Sequence, residues 1–257
     1  MTFLDGPTPL AFAHRGGALL PANAGIENTL TAFRNAVDLG YRYLETDVHT
    51  SLDGVVYAFH DVELTRMTDT VSAFRDLDSA GIDAILVGGR EPIPRLNDLL
   101  EAFPEARFNI DVKADAAVEP TLAVLRDADA LDRVCLGSFS GERLTRLRAA
   151  VPGVPTSFST TEIALLRLAP IRWLQGYGKR LGGACVQVPF RDRRITVVTP
   201  GFVRRAHALG LQVHVWTIDD PGEMRYLLDI GVDGLMSDRV DVLRDVLVER
   251  GQWRWGA

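Results

Sequence analysis

The chain has few cysteines and no long apolar run, and each shortage excludes a class of protein. Its 257 residues include two cysteines, and these lack the CxxC spacing that is typical of zinc sites. Cys135 and Cys185 each lie in an apolar, strand-like run, so we expect buried free thiols of a reducing compartment. No stretch reaches about 18 apolar residues, and no basic segment precedes an apolar core at the N-terminus. These features predict a cytoplasmic protein with no stable membrane insertion.

Positive charge is also scarce. The chain has 28 Lys and Arg residues against 34 Asp and Glu residues, which gives a formal net charge of -6. A nucleic-acid backbone calls for a broad surplus of basic residues, so we expect no nucleic-acid partner. Hydrophobic residues make up 47% of the chain and charged residues 24%, and this balance is typical of a folded globular protein rather than a disordered one.

Short β-rich runs alternate with longer amphipathic stretches along the whole chain. The predicted strands are 10–14, 43–48, 107–113, 133–139, 154–159, 184–189, 211–218 and 234–238. Several of the intervening helical patterns end in glycine just before the next strand, as a left-handed helix cap requires. No GxGxxG motif follows the first strand, which disfavours a dinucleotide-binding sheet. The rhythm predicts one α/β domain over residues 1–257, a (β/α)8 TIM barrel.

One long insert interrupts this rhythm. Residues 49–106 separate the second and third predicted barrel strands, where a βα loop usually has only about 2 to 6 residues. The stretch "HTSLDGVVYAFHD" predicts a hairpin with a two-residue turn at Asp53-Gly54, and "PRLNDLLEAFP" predicts a short helix. We therefore expect a small insertion subdomain after strand two, at the face of the barrel where active-site loops lie.

Carboxylates alternate along two of the predicted strands. Glu45 and Asp47 in "YLETDV" stand two residues apart, so both side chains lie on one face of the strand. Two converging negative charges are unfavourable unless they share a proton or a cation. Asp111 and Lys113 in "NIDVK" repeat this spacing on the next barrel strand. Three carboxylates favour Mg²⁺, Ca²⁺ or Mn²⁺ over zinc; each pair alone would fit a solvated strand end with salt bridges.

Two histidines follow apolar stretches. His14 ends the first strand, and Arg15 and two glycines come directly after it, so a ligand can approach the backbone closely. His60 ends the second strand of the predicted hairpin and is followed by Asp61, which can fix its tautomer. Two imidazoles beside one phosphate can act as general base and general acid. Taken singly, either histidine is more often structural, so the functional interpretation depends on the whole set.

The spaced motifs resemble those of a known family. "AHRGG", "IENTLTAF", "LETDVHTSLDGVVYAFHD", "NIDVK" and "VHVWTID…GVDGLMSDRVD" resemble the motifs of the glycerophosphodiester phosphodiesterases, from about residue 10 to about residue 245. The resemblance implies a (β/α)8 barrel with a small insertion after strand two. It also implies hydrolysis of a small-molecule glycerophosphodiester to glycerol 3-phosphate and an alcohol.

The resemblance further implies a role for each matching residue. Acid/base catalysis falls to His14 and His60. A divalent cation, Mg²⁺ or Ca²⁺ with Mn²⁺ as an alternative, is held by Glu45, Asp47 and Asp111. The substrate is bound by Arg15, Lys113 and Trp216. Glu27 matches the family's glutamate and is expected beside the metal or an imidazole. Position 111 departs from the family's usual glutamate, which makes the third ligand one methylene shorter.

Other residues are predicted to have structural roles, and some questions stay open. Asp238 in "MSDRVD" is predicted to cap a helix. Phe139 and Gln187 are predicted to pack in the core, with a place in the pocket wall as the alternative. Residues 176–184, "GYGKRLGGA", are predicted to link the fifth helix to the sixth strand. Alternative functions are a phospholipase D-like or lysophospholipid-cleaving enzyme and an inactive phosphodiester-binding barrel. The sequence leaves open the preferred alcohol, the physiological metal, which histidine is the acid, a water or cyclic-phosphate route, and the oligomeric state.

Overall fold

The computed structural model describes residues 3–168, 182–193 and 195–254. Most of the link predicted over 176–184 lies outside these residues. The strands are β1 Leu10–His14, β2 Tyr43–Thr50, β3 Val56–Ala58, β4 Leu86–Val87, β5 Glu91–Pro92, β6 Arg107–Val112, β7 Val134–Gly137, β8 Cys185–Pro189, β9 Arg191–Asp192, β10 Ile195–Thr196, β11 Gln212–Trp216 and β12 Gly234–Ser237. The α-helices in this part of the chain are α1 Leu30–Asp38, α2 Ser79–Asp83, α3 Leu96–Ala102, α4 Val118–Asp127, α5 Gly141–Ala150, α6 Thr160–Leu168, α7 Pro200–His207, α8 Pro221–Asp229 and α9 Val240–Glu249.

A curled parallel sheet organises the molecule, and the predicted α/β class is confirmed. Its strands run in the order β7, β6, β2, β1, β12, β11, β8, and each neighbouring pair is parallel. The stretch predicted as a strand over 154–159 contributes only isolated parallel bridges. Thr156 pairs with Leu136 of β7, and Ser157 pairs with Cys185 of β8, so this stretch lies between the two edge strands.

Side-chain caps satisfy free backbone groups at the start of several helices. The Thr29 side chain accepts from the Ala32 N–H at the start of α1, and Thr199 caps α7 ahead of Pro200. The glycines before β2 and β11, Gly40 and Gly210, have φ values of 100° and 73°. These left-handed conformations end the helices at low cost because glycine has no Cβ.

The insert begins with a hairpin whose first strand is the end of β2 and whose second strand is β3. The antiparallel register of β2 and β3 pairs Thr50 with Val56, so residues 51–55 form the loop and the predicted two-residue turn is wrong. The Ser51 hydroxyl explains the wider loop, because it accepts from the Val55 N–H and donates to Asp53. Beyond the hairpin, the insert has an apolar cluster of its own, made of Tyr57, Phe59, Leu64, Phe74, Ile82, Val87 and Ile93.

Two further clusters hold the sheet. The larger one packs the helices against the outer face of the sheet. The smaller one fills the inside of its curl with Phe3, Leu10, Phe12, Tyr43, Cys135, Cys185 and Met236. Phe12 packs edge-on against Tyr43, with ring centroids 5.2 Å apart. The strands are therefore buried on both faces, as parallel strands generally are.

None of the helices in the described ranges is both long enough and apolar enough to cross a bilayer.

Candidate active site

A cavity of about 460 Å³ opens at the C-terminal ends of the parallel strands. The predicted site residues that line it are His14, Arg15, Glu45, Asp47, His60, Asp111, Lys113 and Trp216. They come from β1, β2, β6, β11 and the insert. Glu27 does not line this cavity; it lies behind Arg15. The C-terminal ends of parallel strands meet at one edge of the sheet, and this brings distant segments together.

The central feature of the cavity is an ammonium group between two carboxylates. In the register of β2 and β6, Asp47 is the direct neighbour of Asp111, so both side chains reach the same point. Lys113 Nζ lies 2.7 Å from Asp47 Oδ1 and 2.7 Å from Asp111 Oδ2. On the other side of Asp47, Arg15 Nε lies 3.4 Å from Oδ2. The two basic residues thus compensate the acidic pair that the alternating pattern predicted.

The pKa values of these carboxyl groups show that negative charge is crowded here. Burial, and then the Asp47 charge, raise the pKa of Glu45 to about 7. Burial opposes ionisation of Asp47 as well, but Lys113 and Arg15 outweigh it and its pKa is lowered. Burial raises the pKa of Asp111 despite its contact with Lys113. A buried carboxylate gains most from a nearby cation, so the cluster favours positive charge.

The donor set suits a hard divalent cation by its chemistry. All three predicted ligands are carboxylates, and the buried Asp47 Oδ2 and Asp111 Oδ1 atoms have no hydrogen-bond partner. As the side chains stand, no three His, Cys, Asp or Glu groups within the described ranges are gathered closely enough to hold one ion. The Lys113 ammonium occupies the space between two of them.

His14 is held by a carboxylate that the sequence analysis assigned wrongly. Its Nδ1 lies 2.7 Å from Asp238 Oδ1, and its Nε2 lies 3.7 Å from Glu45 Oε2. Burial by itself would lower the pKa of His14, but these two carboxylates outweigh burial and raise it. Asp238 makes no helix cap: the N-cap of α9 is Arg239, without a side-chain cap bond. The position of Asp238, just past the C-terminal end of β12, is the signal that points to the cavity.

His60 enters the cavity from the insert. Its Nδ1 lies 2.6 Å from Asp61 Oδ1, which is the partner predicted for it. Asp61 also pairs with Arg66, a residue that the sequence analysis missed. Arg66 Nη2 lies 2.6 Å from Glu27 Oε1, and the same oxygen accepts from Arg15 Nη1 at 3.0 Å. Glu27 therefore contacts two guanidinium groups and links the first loop to the insert.

These contacts shift Glu27 toward its charged form. Burial would raise the pKa of Glu27, but Arg66 and Arg15 outweigh burial and lower it.

Aromatic and apolar side chains form another part of the wall, and the Phe139 ring lies beside the bridge, with its centroid 5.6 Å from Lys113 Nζ. Phe139 is 62% exposed and lines the cavity, so core packing is wrong for it and the alternative place in the pocket wall is confirmed. Its ring meets Trp216 edge-on, with centroids 5.9 Å apart, and Ile163 and Val197 extend the same lining. Gln187 also lines the cavity, where its amide nitrogen donates to Asn109 Oδ1 at 2.6 Å.

Comparison with known proteins shows similarity along nearly the whole chain. Residues 14–242 match the sequence model of the "Glycerophosphoryl diester phosphodiesterase family". The chain is 40% identical over 259 residues to "Probable glycerophosphodiester phosphodiesterase 2" of Mycobacterium tuberculosis, which covers 97% of this chain and 98% of that protein.

Solved structures resemble the fold as well. A glycerophosphodiester phosphodiesterase from Agrobacterium tumefaciens superposes with a TM-score of 0.76 at 25% identity, covering 96% of this chain and 100% of that one. An Oleispira antarctica phosphodiesterase, in complex with the product sn-glycerol-3-phosphate, superposes with a TM-score of 0.80 at 22% identity, covering 94% and 97%.

Replacement of Lys113 tests the bridge at the centre of the cavity. Lys113→Met leaves two buried carboxylates without their shared cation, so we expect the free energy of unfolding to fall by about 3 kcal/mol in metal-free buffer. Denaturant unfolding measures this loss. The control is Arg75→Met, which removes a pair whose members are both exposed, with an expected change within about 0.5 kcal/mol. Equal effects of the two substitutions would contradict the importance of the bridge.

Proposed function

The chain belongs to the glycerophosphoryl diester phosphodiesterase family and is an enzyme that hydrolyses glycerophosphodiesters; we propose how its side chains perform this reaction. One observation carries the proposal. Two imidazoles, four carboxylates and two basic groups from separate segments of the chain line one cavity, and the carboxylates include Glu45, Asp47 and Asp111. Phosphodiester cleavage needs a base, an acid and compensation of the charge on phosphorus-bound oxygens, and this cavity holds groups for all three.

Arg15 and Lys113 bind the phosphate group. The Arg15 guanidinium presents several N–H donors in a plane, which suits two phosphate oxygens at once. Lys113 supplies a point charge on the other side of Asp47. Because Glu27 and Asp47 hold the Arg15 side chain, little side-chain freedom is lost when substrate binds.

His14 and His60 transfer the protons. Each ring is held at Nδ1 by a carboxylate, at 2.7 Å and 2.6 Å, which leaves Nε2 as the nitrogen that exchanges a proton with substrate. One imidazole deprotonates the nucleophile, and the other protonates the leaving alkoxide. His60 belongs to the insert, and we assign it to the side of the leaving group.

Glu45, Asp47 and Asp111 are the residues that would hold a divalent cation, Mg²⁺, Ca²⁺ or Mn²⁺. When bound, such an ion withdraws charge from a non-bridging phosphate oxygen. The raised pKa of Glu45 and the two buried oxygens without a hydrogen bond support this assignment. In the arrangement described above, the Lys113 ammonium carries the compensating charge between Asp47 and Asp111.

Two features of the fold extend the proposal. We infer that the sheet closes as a (β/α)8 barrel, since Thr156 and Ser157 bridge its two edge strands. We also infer that the insert is a small subdomain, since it has its own apolar cluster.

A cytoplasmic location is supported by the two buried cysteines. They form no disulfide bond, and their Sγ atoms lie 3.8 Å apart.

The two histidines are tested by substitution. His14→Ala and His60→Ala are each expected to lower kcat on glycerophosphocholine by roughly 10²-fold or more, because each removes a proton-transfer group. The control is His207→Gln, since His207 pairs with Asp233 on the surface, away from the cavity. Near-normal turnover in either cavity variant would overturn the two-histidine assignment.

The cation is tested by chelation and re-addition. Removal of divalent ions is expected to abolish turnover, and Mg²⁺, Ca²⁺ or Mn²⁺ is expected to restore it and to raise the Tm of the free enzyme by mass action. Asp111→Asn should weaken the Tm shift, whereas Asp192→Asn, a cavity carboxylate on β9, should retain it. Full activity after thorough chelation would contradict the metal assignment.

A second candidate substrate is a lysophospholipid, and the exposed Phe139 ring favours it. An apolar wall of Phe139, Ile163, Val197 and Trp216 could cover an acyl chain. On that basis Phe139→Ala should raise KM for a lysophospholipid by about tenfold and lose less on the deacylated substrate. Val248→Ala removes an exposed apolar side chain from α9 and serves as the control. Equal losses on both substrates would count against this candidate.

A further inference from the structure

We propose that Asp238 is a positioning residue that selects the productive tautomer of His14, and that Asp219 holds Asp238 in place for this task. The inference builds on the proposed function, because it concerns the imidazole that exchanges a proton there. Neither aspartate touches the substrate in this assignment. Both act through the ring of His14, and their effect is on the orientation and the protonation pattern of that ring.

The strand register brings the two partners together. His14 is the last residue of β1, and Asp238 comes directly after β12. These strands are parallel neighbours, with Ala13 opposite Ser237, so the following residues also lie side by side although they are 224 positions apart in the chain. Asp238 Oδ1 reaches His14 Nδ1 at 2.7 Å. An ionised carboxylate only accepts hydrogen bonds, so this contact favours the proton of the neutral ring on Nδ1. Nε2 faces Glu45 Oε2 at the longer distance of 3.7 Å, beyond hydrogen-bond reach, and so keeps the lone pair that can accept a proton.

Asp219 fixes the backbone of the turn that carries Asp238. Its Oδ1 atom accepts from the Ser237 hydroxyl at 2.9 Å, from the Asp238 N–H at 2.9 Å and from the Arg239 N–H at 3.2 Å. From the other side, the Leu19 N–H donates to the Asp238 carbonyl oxygen at 3.0 Å. The turn is therefore held on both sides, and the Asp238 carboxylate meets the ring without a large loss of side-chain freedom.

The two histidines of the cavity have aspartate partners in different surroundings. Asp61, the partner of His60, also pairs with Arg66, which offsets part of its charge. Within the described ranges, the only basic side chain in an ion pair with Asp238 is His14. Its negative charge is therefore directed at a single N–H group. This difference indicates that His14 is the imidazole whose tautomer depends most strongly on its carboxylate.

Two substitutions of Asp238 separate this role from simple packing. Asp238→Asn keeps the shape, but its amide nitrogen can donate to Nδ1 and so favour the proton on Nε2, the wrong tautomer. We expect Asp238→Asn to lower kcat by about 10²-fold or more, at least as much as Asp238→Ala, with KM changed by less than about threefold. A packing role predicts the reverse order, and a milder loss in Asp238→Asn than in Asp238→Ala would overturn the proposal.

Asp219 supplies an internal comparison. Asp219→Asn retains a carbonyl oxygen that can accept the same three hydrogen bonds, so its loss of kcat should be smaller than that of Asp219→Ala. The two asparagine substitutions thus have opposite expected effects relative to alanine. The His207→Gln variant serves as the matched control, because His207 pairs with Asp233 at the same 2.7 Å distance at the opposite end of β12. If Asp219→Asn and Asp238→Asn changed kcat in the same direction relative to the alanine variants at those positions, the expected order would be contradicted.

The tautomer can be measured without any substrate. Two-bond ¹H–¹⁵N spectra of the labelled full chain, recorded at alkaline pH where imidazoles are neutral, distinguish Nδ1–H from Nε2–H rings. The chain has five histidines, and the His14→Gln variant assigns the His14 signal. We expect Nδ1–H in the wild type and a shift toward Nε2–H in Asp238→Asn. An Nε2–H ring for His14 in the wild type would overturn the inference. If His14 carries Nδ1–H in the wild type but the protein does not hydrolyse glycerophosphodiesters, the result would count against the proposed function instead.

Discussion

The structure depends on compensation of buried negative charge at the C-terminal edge of the sheet. Isolated ionised carboxylates are costly to bury, yet Glu45, Asp47 and Asp111 lie together in the cavity. Lys113 and Arg15 make this possible, since each lies against Asp47 and Lys113 also contacts Asp111. Without them, the pKa of every carboxyl in the group would rise with burial. The same ion pairs place both positive and negative groups at the surface of the cavity.

The geometry of parallel strands places these groups. Side chains two residues apart share a face, so one strand delivers Glu45 and Asp47 while its neighbour delivers Asp111 and Lys113. The insert adds His60 from outside the sheet, and its position is tied to the first loop through ion pairs of Arg66 with Glu27 and Asp61. The proposed catalytic groups thus lie on strands or directly beside them and are held by ion pairs, which limits the reorganisation that the proposed reaction needs.

Prediction from sequence succeeded where a local rule was sufficient. The spacing of Glu45 and Asp47 predicted a shared face, and the neighbouring Asp61 was correctly expected beside His60. It failed where a contact depended on segments far apart. Asp238 looked like a helix cap because its partner lies on a strand at the other end of the chain. Phe139 looked like a core residue because hydrophobicity alone does not reveal that a loop faces a cavity.

The hairpin shows on a smaller scale that a local signal does not fix every contact. Asp53-Gly54 signals a turn, but the hydrogen bonds of the Ser51 hydroxyl determine the length of the loop. The sequence by itself therefore determined the α/β class, the alternation of strands and helices, and most of the titratable residues that line the cavity. Periodicity and spacing are local properties, and they survive without knowledge of the fold. Only the tertiary structure decided which carboxylate contacts His14 Nδ1, that Lys113 bridges Asp47 and Asp111, and how the first loop joins the insert. Those contacts depend on strand register and side-chain reach, which no local pattern encodes.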